Sequence, residues 1–241
     1  MKFALVCGAS GNIGQSICDD LAQRGWSLYL HFYQNQKKIE NIVQNLQQKY
    51  PKQEFYVIKA DFRQESAVNE IASQIFSLDA IVFAQGTTNY KLLSDFSSQE
   101  IENLWLEQLK IPVLLIKQLI EKIALNHCGR IIFIGSIYGA IGSAMEVPYS
   151  MIKGGISSFA NAYSKEVATL GVTVNVVAPG AVDTQMNQSF SKADKQAIDE
   201  EIPMGRFAKP QEISYIVASL IAKQASYING QTIYVDGGWK K

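Results

Sequence analysis

Short apolar runs rich in β-branched and aromatic residues recur at 2–7, 27–32, 54–60, 79–84, 130–135, 172–178 and 231–236, and they read as strands. Between them the apolar positions change period. Ile39, Ile42, Val43 and Leu46 repeat at i, i+3, i+4 and i+7, as do Val68, Ile71, Ala72 and Ile75, with polar residues on the other face. Two longer helices are expected on either side of the 130–135 strand, from about Ser97 to Asn126 and from about Tyr149 to Leu170, with Pro112 a candidate kink in the first. Lys209 and Pro210 open a last helix that buries Ile213, Ile216, Val217, Leu220 and Ile221. This alternation of strand and helix predicts an α/β fold on a parallel sheet.

Composition narrows the class further. With 241 residues, 47% apolar and 18% charged, the chain can bury a sizeable core, and residues 1–241 read as a single domain. Lysine plus arginine equals aspartate plus glutamate at 22 each, which argues against a general attraction to nucleic acid or to an anionic membrane. Cys7, Cys18 and Cys128 are widely spaced and form no metal-ligand pattern, so buried free thiols are expected, with neither a disulfide framework nor a metal site. No apolar stretch approaches a membrane span and no leader-like segment precedes the first strand, which makes the cytoplasm the default location.

The stretch CGASGNIG at 7–14 joins the first strand to a helix. Gly8 and Gly14 there offer backbone N–H groups and a positive helix end with little side-chain obstruction, which is what a dinucleotide pyrophosphate needs. The spacing departs from GxGxxG, with Asn12 where a middle glycine is expected, and asparagine can adopt the left-handed conformation. No carboxylate follows the second strand in Leu30-His31-Phe32-Tyr33-Gln34, so nothing there repels a 2′-phosphate and NADP(H) is favoured over NAD(H). His31, Lys37 and Lys38 are the candidate positive partners.

Ser136 ends the fifth strand in GRIIFIGSIYGA, and YSMIK at 149–153 puts Tyr149 and Lys153 on one helical face. A YxxxK match is weak by itself: about one is expected by chance, and Tyr33 with Lys37 is another. Placement separates the two, because only Tyr149 and Lys153 follow a serine at a strand's carboxyl end.

With these motifs, Asp61 after the third strand, NVVAPGAVDT at 175–184 and ASYINGQTIYVDGG near the terminus, the sequence resembles the short-chain dehydrogenase/reductase family over nearly its whole length. The resemblance implies a Rossmann doubly wound fold with seven parallel strands and helices on both faces. It implies that Tyr149 donates a proton to a carbonyl oxygen, that Lys153 lowers the tyrosine pKa and holds the nicotinamide ribose, and that Ser136 orients the carbonyl. It also implies cofactor contacts at Gly8, Ser10, Asn12, Ile13, Gly14, Phe32, Asp61, Phe62, Ala84, Gly86, Tyr149, Lys153, Pro179, Gly180, Val182 and Thr184. Pairing into dimers or tetramers through the long helices and the last strand is implied as well, with Leu104, Trp105, Leu114, Leu115 and Phe159 as candidate contacts. Residues 182–207 read as a substrate lid.

Four positions depart from the family pattern. Cys7 replaces a threonine, Asn12 a glycine, and Phe83-Ala84-Gln85-Gly86 the usual Asn-Asn-Ala-Gly, which leaves backbone support to a residue such as Gln85. The fourth catalytic residue, an asparagine, aligns by spacing with Gln108. Within the family the segments most resemble 3-oxoacyl-[acyl-carrier-protein] reductases, yet His127 and Leu170 stand where those enzymes carry basic carrier-docking residues. A related branch reduces a 5-aminopentanone group on elongation factor P; a ketone on that basic arm would suit acidic lid residues such as Asp194, Asp199, Glu200 and Glu201. A third reading is a nucleotide-binding regulator that retains the fold without turnover.

Overall fold

The computed structural model describes residues 1–185 and 191–239. Among them, seven strands form one sheet: β1 (Lys2–Cys7), β2 (Trp26–Phe32), β3 (Phe55–Lys59), β4 (Ala80–Phe83), β5 (Arg130–Ile134), β6 (Thr173–Pro179) and β7 (Thr232–Val235). All pair in parallel in the order β3-β2-β1-β4-β5-β6-β7. The order reverses between β1 and β4, so a crevice opens beyond their carboxyl ends, where doubly wound sheets bind ligands.

Helices cover both faces, as the sequence predicts. On one side lie α1 (Asn12–Gln23) and α2 (Gln36–Lys49), the latter turning Ile39, Ile42, Val43 and Leu46 inward against Leu28 and Leu30. The opposite side carries α3 (Ser66–Ala72), α4 (Ser98–Trp105) and α5 (Ile111–Ala124), which pack Ile71, Leu115 and Leu119 against Ile81 and Phe133. A four-residue turn of helix, α6 (Tyr138–Ile141), follows β5 and precedes α7 (Val147–Glu166). After β6 come α8 (Lys192–Glu201) and α9 (Pro210–Ile221), and α9 joins the α1 side through Ile213 and Val217. Proline opens α9 because its missing N–H is one that a first turn leaves unpaired in any case.

The structure corrects four expectations. The helix expected from Ser97 to Asn126 is interrupted at Leu106–Lys110 by a π-helical turn, so the irregularity precedes Pro112, which sits in the first turn of α5. Leu104 and Leu115, offered as oligomer contacts, are core residues, and Phe159 packs against that core; Trp105 alone of the five is exposed. Asn12 has no positive φ: it is the first helical residue of α1, and among the described non-glycine residues only His127 and Met145 have φ in that region. Cys7 and Cys18 are buried, whereas Cys128 is half-exposed. In the excursion at 182–207, the described residues contain α8, and 186–190 lie outside the described residues.

Candidate active site

Local sterics shape the nucleotide end. Gly8 has φ +77°, and a Cβ there would lie 2.7 Å from the backbone nitrogen of Gln85, so only glycine lets β1 turn this close to the end of β4. A Cβ on Gly14 would enter the Gly8 carbonyl, so its absence lets α1 press against the turn. No side chain caps α1 at Gly11, which leaves its first N–H groups facing the crevice. That arrangement fits the pyrophosphate of a dinucleotide.

The crevice is a cavity of about 600 Å³ that runs from this turn to β6. Every residue named from sequence as a cofactor contact lines it, as do Ser136, Tyr149 and Lys153. Gln108 does not. It is fully buried behind Gly86, its Nε2 donates to the Thr87 carbonyl at 2.7 Å, and its Oε1 has no partner. Gln85 does provide support near β4, since its Nε2 donates to the Glu107 carbonyl at 3.1 Å and so holds the π turn.

Ser136, Tyr149 and Lys153 converge at the β5 end of the cavity. Gly139 makes this possible: a Cβ there would be 2.7 Å from the Lys153 backbone, so α6 packs flush on α7 beside the lysine. Lys153 is buried; its Nζ donates to the Ile134 carbonyl at 2.9 Å and lies 5.3 Å from the Tyr149 ring centre. Tyr149 and Ser136 line the same end of the cavity, and the Ser136 hydroxyl works to lower the tyrosine pKa. Burial pushes Tyr149 up to about 12 against that influence, and burial brings Lys153 down to about 8 against the opposing charge of Glu107. Desolvation of the phenolate is the largest influence on Tyr149 in the protein alone. At neutral pH the hydroxyl keeps its proton and is a donor.

The three candidate cations for a 2′-phosphate are also corrected. His31 is buried and held down to about 4 by desolvation; its Nδ1 accepts from Gly8 N at 3.2 Å and its Nε2 faces the Ala60 carbonyl at 3.1 Å. It is a neutral brace for the turn. Lys37 and Lys38 are absent from the cavity lining. The cation at the wall is Arg63, which sequence reasoning missed. Its guanidinium lies 4.7 Å from the Tyr33 ring centre, donates to the Tyr33 hydroxyl, and pairs with Asp61 through Nε and Nη2, both at 2.9 Å. Burial alone would push Asp61 up, but these bonds hold its carboxyl below the usual range. An arginine two residues after Asp61 at a strand end was the available signal.

The comparisons bear on this geometry. A family model described as Enoyl-(Acyl carrier protein) reductase matches residues 8–240. The chain is 39% identical to the uncharacterized oxidoreductase YmfI of Bacillus subtilis over 99% of its length and 98% of that protein. It is 32% identical to the 3-oxoacyl-[acyl-carrier-protein] reductase FabG of Rickettsia typhi, over 98% of this chain and 96% of that one. The chain belongs to the short-chain dehydrogenase/reductase family. It is thus an oxidoreductase of that family, built on the family's seven-stranded doubly wound sheet. Among solved structures of the fold, YwfH, an NADPH-dependent reductase involved in bacilysin biosynthesis, superposes with a TM-score of 0.93 at 25% identity, covering 100% of this chain and 98% of that one. The L-sorbose reductase of Gluconobacter frateurii, complexed with NADPH and L-sorbose, superposes with a TM-score of 0.92 at 22% identity over 100% and 97% of the two chains, a likeness of fold.

Proposed function

We propose that this protein is an NADP(H)-dependent ketone reductase in which Ser136, Tyr149 and Lys153 act on the carbonyl. The convergence of Ser136, Tyr149 and a buried Lys153 on one end of the cavity, with Lys153 Nζ 5.3 Å from the Tyr149 ring centre, carries the reading. When bound, the reduced nicotinamide supplies a hydride to the carbonyl carbon. Ser136 and Tyr149 orient the carbonyl oxygen, and Tyr149 gives it a proton. The uncapped start of α1 holds the pyrophosphate, and Arg63 on Tyr33 meets the 2′-phosphate, in keeping with the NADPH-dependent relatives of the fold.

Two substrates suit this chemistry. The 3-oxoacyl thioester follows from the likeness to 3-oxoacyl-[acyl-carrier-protein] reductase. A 5-aminopentanone group on elongation factor P is the second, favoured over an acidic carrier because His127 and Leu170 offer that carrier no fixed positive charge. Of the acidic lid residues, Asp194 is committed to capping α8 and Glu201 accepts from Trp239 Nε1, so neither is an unengaged docking charge.

The deciding experiment measures NADPH and NADH oxidation with acetoacetyl thioester and with an amino-ketone, using Tyr149→Phe as control. Thioester turnover supports the acyl reductase, and turnover confined to the amino-ketone supports the modified-lysine substrate. Tight NADPH binding with no turnover of either would return the regulator to the front.

A further inference from the structure

The carboxylate of Glu146 is buried, although no ion pair engages it among the described residues. A charge removed from water persists only where hydrogen bonds replace its hydration. Here hydroxyls do so: Oε1 accepts from Thr88 Oγ1 at 2.8 Å and Oε2 from Ser143 Oγ at 3.0 Å. The Glu146 carbonyl accepts from Ser150 N at 2.9 Å and so begins the ladder of α7. Two more bonds tighten the same junction, from Ser143 N to Ser150 Oγ at 3.0 Å and from Lys91 N to the Met145 carbonyl at 2.9 Å. Met145 has φ +64°, a left-handed conformation that methionine rarely adopts and that bonds on both sides of it must hold.

These bonds join two parts of the cavity lining. Thr87 and Asn89, the neighbours of Thr88, belong to the wall that leaves β4, and Tyr149 stands one turn of α7 beyond Glu146. Along that wall the two threonine hydroxyls go to different carboxylates, Thr87 Oγ1 to Glu107 Oε2 at 2.9 Å and Thr88 Oγ1 to Glu146. We infer that Glu146 is a positioning residue for ketone reduction: by holding Thr88 and Ser143 together it fixes the first turn of α7, and so the Tyr149 hydroxyl, against the 87–89 wall. The inference rests on the reductase reading. Glu146 itself moves no proton, and Tyr149 remains the donor.

The consequence is geometric. Without the carboxylate, Met145 is free to leave its left-handed conformation and the first turn of α7 to rotate; a proton donor displaced by about 1 Å loses about 100-fold in rate. The nucleotide end is built elsewhere, from the β1–α1 turn braced by His31 and from Arg63 on Tyr33. Lys153 has its own anchor in the Ile134 carbonyl. Loss of the Glu146 clasp should therefore lower kcat and leave NADPH binding alone. A glutamine at this position accepts from one hydroxyl and donates to the other, so it keeps the clasp without the charge.

The test compares full-length Glu146→Ala and Glu146→Gln with the wild type in steady-state ketone reduction, with NADPH affinity followed by calorimetric titration. Glu146→Ala should show a kcat about 10- to 100-fold lower at an unchanged Kd for NADPH, and Glu146→Gln a kcat within about threefold of the wild type. Without cofactor, backbone amide exchange in Glu146→Ala should quicken at 87–91 and 142–150 and match the wild type at 7–14. A wild-type kcat in Glu146→Ala would overturn the inference, as would a fall in kcat matched by an equal weakening of NADPH binding, the mark of general loosening. Equal impairment of Glu146→Gln and Glu146→Ala would also defeat it, because the charge and not the clasp would then be acting. Should Glu146→Ala fail to fold, Thr88→Val, which removes one donor, must lower kcat with NADPH affinity kept, and Thr88→Ser must keep the rate; an unmoved kcat in Thr88→Val counts against the clasp. If the wild-type protein reduces no ketone, the reductase reading falls and the inference with it; turnover that Tyr149→Phe abolishes but Glu146→Ala leaves untouched sinks the inference alone.

Discussion

The side-chain oxygen of Asn12 accepts the backbone N–H of Gln185 at 3.1 Å, joining the first turn of α1 to the segment that leaves β6. Both residues line the cavity, so the bond ties its two walls together across the nucleotide end. Asn12→Ala removes one neutral hydrogen bond, worth about 1 kcal/mol, and should weaken NADPH binding about fivefold. Calorimetric titration would measure this. An unchanged Kd would mean that the walls hold their spacing without the tether.

Arg63 should set the choice between the two nicotinamide cofactors. A charge-assisted contact to a phosphate contributes about 1.5–3 kcal/mol, so Arg63→Ala should raise the KM for NADPH about 10- to 100-fold and leave that for NADH nearly unchanged. Steady-state kinetics with both cofactors tests it. Equal losses for both would assign Arg63 to holding Asp61 in place instead.

Tyr149→Phe keeps the ring and removes the proton donor. Ketone reduction should fall by about 100-fold or more while NADPH still binds, as followed by fluorescence of the bound nucleotide.

Close backbone approach makes Gly14 sensitive in a different way. Gly14→Ala drives a Cβ into the Gly8 carbonyl, a contact that backbone alone can relieve. Overpacking of this kind costs about 1–3 kcal/mol and should lower Tm by about 3–10 °C in a protein of this size. A scan that superposes on the wild type would show that α1 shifts without cost.

Buried His31 gives stability a pH dependence with a defined sign. Its pKa falls from 6.5 in the unfolded chain to about 4 in the fold, so the unfolded state binds the extra proton between those values. The stabilisation from the neutral imidazole is complete above pH 6.5 and is lost as pH falls through 4, in total about 3 kcal/mol. Thermal unfolding from pH 4 to 7 should show Tm rising with pH, and His31→Gln should flatten that rise.

What the sequence determined by itself was what local periodicity and local sterics control. The seven strands lie within about two residues of their expected bounds because β-branched runs and glycine-bounded turns act over a few neighbours. Tyr149 and Lys153 were legible because a spacing of four puts two side chains on one face of α7. Tertiary structure alone decided which side chains the cavity receives. Arg63 reaches it because β3 ends beside β2, and Glu107 because a π turn rotates that part of the helix toward Thr87. The same long-range packing hides Gln108 behind Gly86, neutralises His31 by desolvation and draws Leu104 and Leu115 into the core. Each of these outcomes depends on residues far apart in the chain meeting, and a pattern read along one segment carries no record of what will pack against it.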